Sequence, residues 1–156
     1  MGIELRPATG ARFEDVRTIL GPKKPGAQGC WCLGYRLGYA EEQKLVGEAR
    51  AETIAKLCRR RVHAPGVLAY DGDEVVGWAA ISPLSELAGF PAKDFPHPDE
   101  QDAWVLFCFR VRAGHGGQGI AHELLAGAVD YARSKGAPAV EAYPVENKGA
   151  KIDRTF

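Results

Sequence analysis

The stretch from Val105 to Leu125 reads VLFCFRVRAGHGGQGIAHELL, and it decides the fold. Its first part is an apolar strand, its middle is a glycine-rich turn, and its end opens a helix. The first backbone N–H groups of a helix lack partners within the helix and lie at the positive end of its dipole. Glycines in the turn permit positive φ angles and remove the Cβ atoms that would keep an anion away from these amides. The stretch therefore predicts a site for the phosphates of a nucleotide-like cofactor.

The composition is that of an ordinary globular protein. The chain has 156 residues, of which 46% are hydrophobic and 26% are charged, and its formal net charge is zero. This length predicts one domain over residues 1–156. Zero net charge argues against a general attraction to nucleic acid or to an anionic membrane. Because the sequence has neither an apolar run of ~18 residues nor a secretory leader, we expect a cytoplasmic protein that binds no membrane and no nucleic acid.

The four cysteines predict no metal site. Cys30 and Cys32 flank Trp31, whereas Cys58 lies in a helical pattern and Cys108 in an apolar strand. This spacing lacks the two cysteine pairs of a zinc site. We expect reduced thiols that pack as small hydrophobic side chains. A nucleophilic role for Cys108 is disfavoured, because no adjacent residue would stabilise its thiolate.

The pattern along the chain gives the order strand, helix, helix, three strands, helix, strand. Thr9 is the candidate cap of the first helix, and Asp71-Gly72-Asp73 predicts a hairpin turn. The hairpin makes the early strands antiparallel, whereas the helical crossover makes the last two parallel. This predicts an α/β protein with a central mixed sheet, mostly antiparallel, with one parallel pair. The predicted strands are 3–6, 67–70, 75–81, 104–111 and 139–143, and the later helices are 41–62 and 119–135.

Two nucleotide-binding motifs compete for the glycine turn. A P-loop needs Gly-Lys-Ser/Thr at its end, but Ile120 and Ala121 follow Gly119, so this motif is excluded. The dinucleotide motif Gly-x-Gly-x-x-Gly matches residues 114–119, with Glu141 where the ribose-binding acid would lie. A dinucleotide domain normally has further parallel strands, whereas a hairpin precedes this turn and only 15 residues follow Glu141. The dinucleotide site stays an alternative at this point.

Residues 111–125 resemble the acetyl-CoA motif of the GNAT acetyltransferases. In that motif a strand ending in Val leads into Arg/Gln-x-x-Gly-x-Gly/Ala and then into a helix with a Leu-Leu pair. Gly119 and Ala121 occupy the last two small positions. The family's order of strands and helices also matches most of the chain. The resemblance implies a GNAT-like fold and direct transfer of acetyl from acetyl-CoA to an amine. A non-catalytic acyl-CoA-binding or partner-binding module is the alternative.

The same resemblance implies where the cofactor would bind. The slot would lie between strands 104–111 and 139–143, with the backbone of Phe109 and Val111 along the pantetheine arm. The family's Arg or Gln falls on Gly116, so backbone amides would hold the pyrophosphate here. The other implied cofactor-binding residues are Gly116, Gly117, Gln118, Gly119, Ile120 and Ala121, and Asn147 falls where the family often has an Asn that contacts the cofactor.

Acetyl transfer requires a neutral amine, so a base should remove its proton. Asp102 and Glu100 are the candidates, because they precede the strand that leads to the cofactor. Strict alternation along this strand would place Asp102 on the face of Trp104, Leu106 and Cys108. The amine acceptor would be a small molecule or a peptide. We expect the walls of its site to include Trp31, Tyr35 and Tyr39, and the acids that would attract it to be Glu86, Asp94, Asp99 and Glu100.

Members of this family usually continue past the strand at 139–143 with a helix and a hairpin, whereas this sequence ends at Phe156. We therefore expect the C-terminal part of the domain to be incomplete. A strand without its usual neighbours leaves a sheet edge open to pairing with another chain. The sequence predicts either a homodimer through this edge or a natural chain that extends further.

Overall fold

The computed structural model describes residues 2–95, 101–144 and 148–149. Its strands are β1 (Glu4–Pro7), β2 (Gly66–Asp71), β3 (Glu74–Pro83), β4 (Trp104–Val111) and β5 (Val140–Ala142). Its helices are α1 (Phe13–Leu20), α2 (Tyr39–Lys44), α3 (Glu48–Cys58) and α4 (Ile120–Ser134). None of these helices is long and apolar enough to span a membrane.

The five strands form one sheet in the order β1-β2-β3-β4-β5. Antiparallel pairing joins the first four strands, and β4 and β5 are parallel. The predicted mixed sheet is therefore confirmed. Because the described sheet is mostly antiparallel, it is not the parallel sheet of a dinucleotide-binding domain.

Helices cover both faces of the sheet and bury two separate cores. On β2, Leu68 belongs to the core beneath α1 and α3, whereas its neighbour Ala69 belongs to the core beneath α4. Successive strand residues point to opposite faces, so a strand covered on both sides needs an uninterrupted apolar run. Strand β3 meets this need with Val76 to Ile81, where Trp78 is fully buried on the α1 side.

The single helix predicted over residues 41–62 is wrong, because two helices with a break occupy this segment. Leu45 is extended and Gly47 has a φ of 57°, so neither continues α2. The buried Arg50 of α3 donates to the carbonyl of Leu45 at 3.3 Å and to that of Gly29 at 2.8 Å. The Leu45 carbonyl can accept the first bond because it makes no hydrogen bond within a helix. The bond to Gly29 ties the break to the loop after α1.

The predicted hairpin turn is observed in the structure, whereas the predicted helix cap is not. The hairpin is confirmed: Asp71 pairs with Glu74, and Gly72 takes a φ of 60° between them. The cap at Thr9 is wrong, because a short 3-10 turn precedes α1 and the Thr9 side chain caps no backbone N–H. Its hydroxyl instead accepts a hydrogen bond from Arg12 Nη1 at 3.3 Å.

Strand β4 contains a bulge at Phe107. Across the ladder to β3, Ala80 faces Cys108 and Ile81 faces Leu106, so Phe107 is the extra residue. As a result Leu106 packs in the α4 core, whereas Cys108 packs against the α1 and α3 core. The prediction that Cys108 shares a face with Trp104 and Leu106 is wrong, because strict alternation stops at a bulge.

Candidate active site

β4 and β5 run side by side over three residues and then part. Residues 104–106 pair with residues 140–142, but β4 continues to Val111. Past the bulge, Arg112 donates its backbone N–H to the Val76 carbonyl of β3 at 2.8 Å. Backbone groups in an antiparallel ladder alternate between the two sides of the strand. Those of Phe109 and Val111 therefore point into the gap that the end of β5 leaves open.

A cavity of about 760 Å³ occupies this gap. Where it meets α4, its lining consists of Phe109, Ala121, His122 and Leu125. The other side is an aromatic wall formed by Tyr35, Phe90, Phe95, Phe107 and Tyr143. The volume lies within the usual range of small-molecule sites, roughly 300–1,000 Å³. The cavity thus joins the α4 face of the sheet to an aromatic compartment on its other side.

The glycine turn lies at the α4 end of this cavity. Gly114, Gly117 and Gly119 have φ values of 86°, 75° and 75°, and a Cβ at any of them would meet no protein atom within 4 Å. Gly119 caps α4 without a side-chain hydrogen bond, and its carbonyl accepts from Glu123 N at 3.2 Å. The N–H groups of Ile120, Ala121 and His122 precede that first bond and have no acceptor within the helix. The open space above them suits an anion.

Among the described residues, the arginines on either side of Val111 add no side-chain donor to the glycine turn. Arg112 donates to Glu74 at 2.7 Å, away from the helix start. Arg110 points to the other face of the sheet and donates to the Ile19 carbonyl at 3.3 Å. With glycine at position 116, backbone amides are the main donors that the turn offers to an anion. Of the predicted residues, Gly116, Gly117, Gln118 and Gly119 lie in this turn, and Ile120 and Ala121 begin α4 directly after it.

The structure does not bring Asp102 to the cavity. Its carboxylate accepts from Ser85 N at 2.9 Å and from Ser85 Oγ at 2.6 Å. Asp102 precedes the paired part of β4, whereas the gap lies beyond Leu106. It therefore fixes the loop after β3 and does not line the cavity. Glu100 and Asn147 lie outside the described residues.

Of the three aromatic residues expected at the acceptor site, only Tyr35 lines the cavity. Trp31 is 3% exposed and stacks on Phe13 with ring centroids 6.4 Å apart, so it belongs to the core. Tyr39 is 79% exposed on α2. Ring contacts instead join Tyr35 to Phe90 at 5.4 Å and to Phe107 at 5.7 Å.

Sequence reasoning missed Tyr143 as a site residue. Tyr143 follows β5, and its ring contacts the Phe95 ring at a tilt of 35° with centroids 4.3 Å apart. Its hydroxyl donates to Glu141 Oε2 at 2.6 Å. Desolvation raises the pKa of Tyr143 to about 12, and the hydrogen bond to Glu141 acts in the same direction. The phenol therefore keeps its proton at neutral pH, inside a cavity that its ring lines.

The acids expected to attract a cationic acceptor are not among the described residues of the cavity lining. Glu86 accepts from Arg60 and from His63, each at 2.5 Å. Desolvation opposes ionisation of Glu86, but the hydrogen bonds from Arg60 and His63 outweigh it and hold the pKa of Glu86 below its ordinary value. Asp94 ends a 3-10 turn, and Asp99 lies outside the described residues.

Cys108, which lines the cavity, contacts a second cysteine behind it. The sulfur atoms of Cys32 and Cys108 are 2.9 Å apart, and the Cys32 thiol donates to Cys108. This contact lowers the pKa of Cys108. The expectation that nothing would stabilise a Cys108 thiolate is therefore wrong, because the partner comes from a loop far away in sequence. In the described ranges, no group of three His, Cys, Asp or Glu side chains is arranged to hold a metal ion.

Comparison with known proteins agrees with this geometry. The sequence model described as the acetyltransferase (GNAT) family matches residues 39–151. None of the curated proteins matches the sequence.

Several solved structures share the fold at low sequence identity. The aminoglycoside N-acetyltransferase AAC(6')-Iy in complex with CoA is 16% identical with a TM-score of 0.59, over 94% of this chain and 80% of that chain. AAC(6')-Ih from Acinetobacter baumannii is 13% identical with a TM-score of 0.58, over 92% and 80%. A GNAT family acetyltransferase from Staphylococcus aureus is 14% identical with a TM-score of 0.53, over 100% and 96%.

Proposed function

Because the chain belongs to the acetyltransferase (GNAT) family, it is an N-acetyltransferase that uses acetyl-CoA, and we propose that the reaction takes place where β4 and β5 part. One observation carries this proposal. The cavity in the gap begins at the open N-terminus of α4 and ends in an aromatic wall. An anionic cofactor and an amine can therefore reach the same point from opposite faces of the sheet.

The residues on the α4 side fit the cofactor. The amides of Ile120, Ala121 and His122, with the open space around Gly119, suit a pyrophosphate. The backbone of Phe109 and Val111 would hydrogen-bond the pantetheine arm, since β5 pairs with β4 only over residues 104–106 in the described part of the chain. When bound there, acetyl-CoA supplies an activated thioester. The chain positions it with backbone donors and with the apolar side chain of Leu125.

The aromatic wall favours an acceptor amine carried by an aromatic or otherwise apolar group. Aromatic side chains stack with such a group, and their faces attract an ammonium. A polycation such as an aminoglycoside needs carboxylates, and the described lining contains none. We therefore assign an arylalkylamine-like acceptor. This differs from the substrates named for the similar aminoglycoside acetyltransferases.

Tyr143 is our candidate for the acid that protonates the departing thiolate. Its hydroxyl is protonated at neutral pH, lies in the cavity lining and is oriented by Glu141. Tyr143→Phe should lower kcat by about 100-fold, a typical contribution of general acid catalysis. The CoA dissociation constant should stay the same, because the phenol belongs to the aromatic wall, on the other side of the cavity from the glycine turn. An unchanged kcat would remove Tyr143 from the mechanism.

The function is tested with a panel of amines. Calorimetric titration with CoA measures the cofactor site, and release of free thiol from acetyl-CoA measures turnover. The panel contains 2-phenylethylamine, a lysine peptide, spermidine and kanamycin. We expect turnover with 2-phenylethylamine above that with the other three. Turnover with the polycations alone would contradict the apolar acceptor, and CoA binding without turnover on any amine would favour a non-catalytic module.

A further inference from the structure

The contact between Cys32 and Cys108 joins a loop and a strand that are far apart in sequence, and the proposed acetyl transfer does not use it. Cys32 lies in the loop between α1 and α2, and Cys108 lies one residue after the β4 bulge. Their sulfur atoms are 2.9 Å apart. A disulfide bond is about 2.05 Å long, so only a small movement of the sulfurs separates the two thiols from a covalent link.

The backbone holds Cys32 in this position at some cost. Trp31 and Cys32 have φ values of 51° and 54°, so two adjacent residues with a Cβ adopt the left-handed conformation. Such strain persists only where the surroundings enforce it. Here the buried Trp31 anchors the turn, because its ring stacks on Phe13 and lies 5.9 Å from the Arg17 guanidinium. The strained turn directs the Cys32 thiol at β4.

The two thiols are not equivalent. The hydrogen bond that Cys32 donates to Cys108 raises the pKa of Cys32 to about 12. The same bond lowers the pKa of Cys108. Cys108 is also the one that lines the cavity, whereas Cys32 is 7% exposed and lies behind it. A small electrophile that enters the cavity therefore meets the thiol that ionises more easily, with a second thiol directly behind it.

We propose that Cys32 and Cys108 form a redox-active dithiol that a hydroperoxide entering the cavity converts to a disulfide. The Cys108 thiolate attacks the peroxide, the O–O bond breaks, and Cys108 becomes a sulfenic acid. The Cys32 sulfur then attacks the Cys108 sulfur, an S–S bond forms, the S–O bond breaks and water leaves. Two thiols lose two electrons in total, and hydrogen peroxide is reduced to two molecules of water.

The disulfide would connect the two sides of the aromatic wall. Tyr35 follows Cys32 by three residues, and Phe107 precedes Cys108 by one. Their rings already touch at 5.7 Å. The modification site therefore lies on the acceptor side of the cavity, whereas the glycine turn on the α4 side has no cysteine.

The test uses the full chain, reduced and then treated with hydrogen peroxide. The remaining thiols are alkylated after denaturation, and tryptic peptides are mapped by mass. We expect a loss of two hydrogen atoms from the intact mass and one cross-linked peptide that contains Cys108. Cys30 and Cys32 share a tryptic peptide, so the Cys30→Ser variant identifies the partner. Recovery of every thiol in alkylated form would overturn the proposal, as would a bond between Cys30 and Cys32.

The variants give a second readout. Cys58→Ser is the matched control, since Cys58 is a buried thiol of α3 outside the cavity lining. Cys30→Ser and Cys58→Ser should still form the disulfide. Cys32→Ser should instead accumulate a Cys108 sulfenic acid that dimedone traps. Disulfide formation that persists in Cys32→Ser would contradict the pairing. The mapping of the unsubstituted protein decides the question even where a variant fails to fold.

Discussion

Two glycines of the glycine turn have different structural roles. Gly119 has a φ of 75° at the start of α4, which a residue with a Cβ adopts only under strain. Gly116 has no positive φ, and a Cβ there would meet no protein atom within 4 Å. Gly119 shapes the backbone, whereas Gly116 leaves open space beside the turn. Of these two positions, only 119 therefore has a backbone conformation that favours glycine.

Gly119→Ala should weaken CoA binding about tenfold, because strain at the cap displaces the amides of Ile120 and Ala121. Gly72→Ala is the matched control: Gly72 also has a positive φ and open space, but it lies in the β2–β3 hairpin turn. Both variants should lose about 1 kcal/mol of unfolding free energy. Urea unfolding and calorimetric titration measure the two effects. Equal CoA affinities in the two variants would contradict this assignment of Gly119.

Helix α4 serves the core on one side and the cavity on the other, and two neighbouring leucines separate these roles. Leu124 is fully buried, whereas Leu125 is 43% exposed and lines the cavity. Leu124→Ala should cost about 2–5 kcal/mol of unfolding free energy. Leu125→Ala should cost less than about 1 kcal/mol but raise the KM for acetyl-CoA severalfold. Urea unfolding and steady-state kinetics on both variants test this. A larger KM effect in Leu124→Ala than in Leu125→Ala would contradict the assignment of Leu125 to the site.

The loop after β3 is tied to the end of α3 by Glu86, which accepts from Arg60 and His63. The pKa of Glu86 is lowered in the folded chain from the ordinary 4.5. Its contribution to stability is therefore present above that ordinary value and is lost as the pH falls through the lowered one. Glu86→Gln should flatten the acid side of the stability curve. Urea unfolding from neutral pH downward measures this, and identical acid slopes in both proteins would disprove it.

The sequence predicts the regular elements better than their irregularities. The bounds of β4 match the prediction, because its apolar run leads directly into the glycine turn. The break at Gly47 depends on hydrogen bonds of Arg50 to a distant loop, and the bulge at Phe107 depends on pairing with β3. The glycine turn between β4 and α4 is set by local sequence, so its position was predictable. The aromatic wall and the Cys32–Cys108 contact are not, since that contact joins residues 76 positions apart.

The bounds of β5 would make a cofactor bound in the gap part of the sheet. Among the described residues, β5 pairs with β4 no further than Leu106, and the backbone of Phe109 and Val111 faces the gap that follows. In the proposed complex the pantetheine amides supply the next rungs of the ladder, so the coenzyme stands in for a neighbouring strand. Ligands that bind only the folded state stabilise it. The loaded enzyme is then a more rigid and more heat-resistant molecule than the empty one, and catalysis begins from a completed sheet.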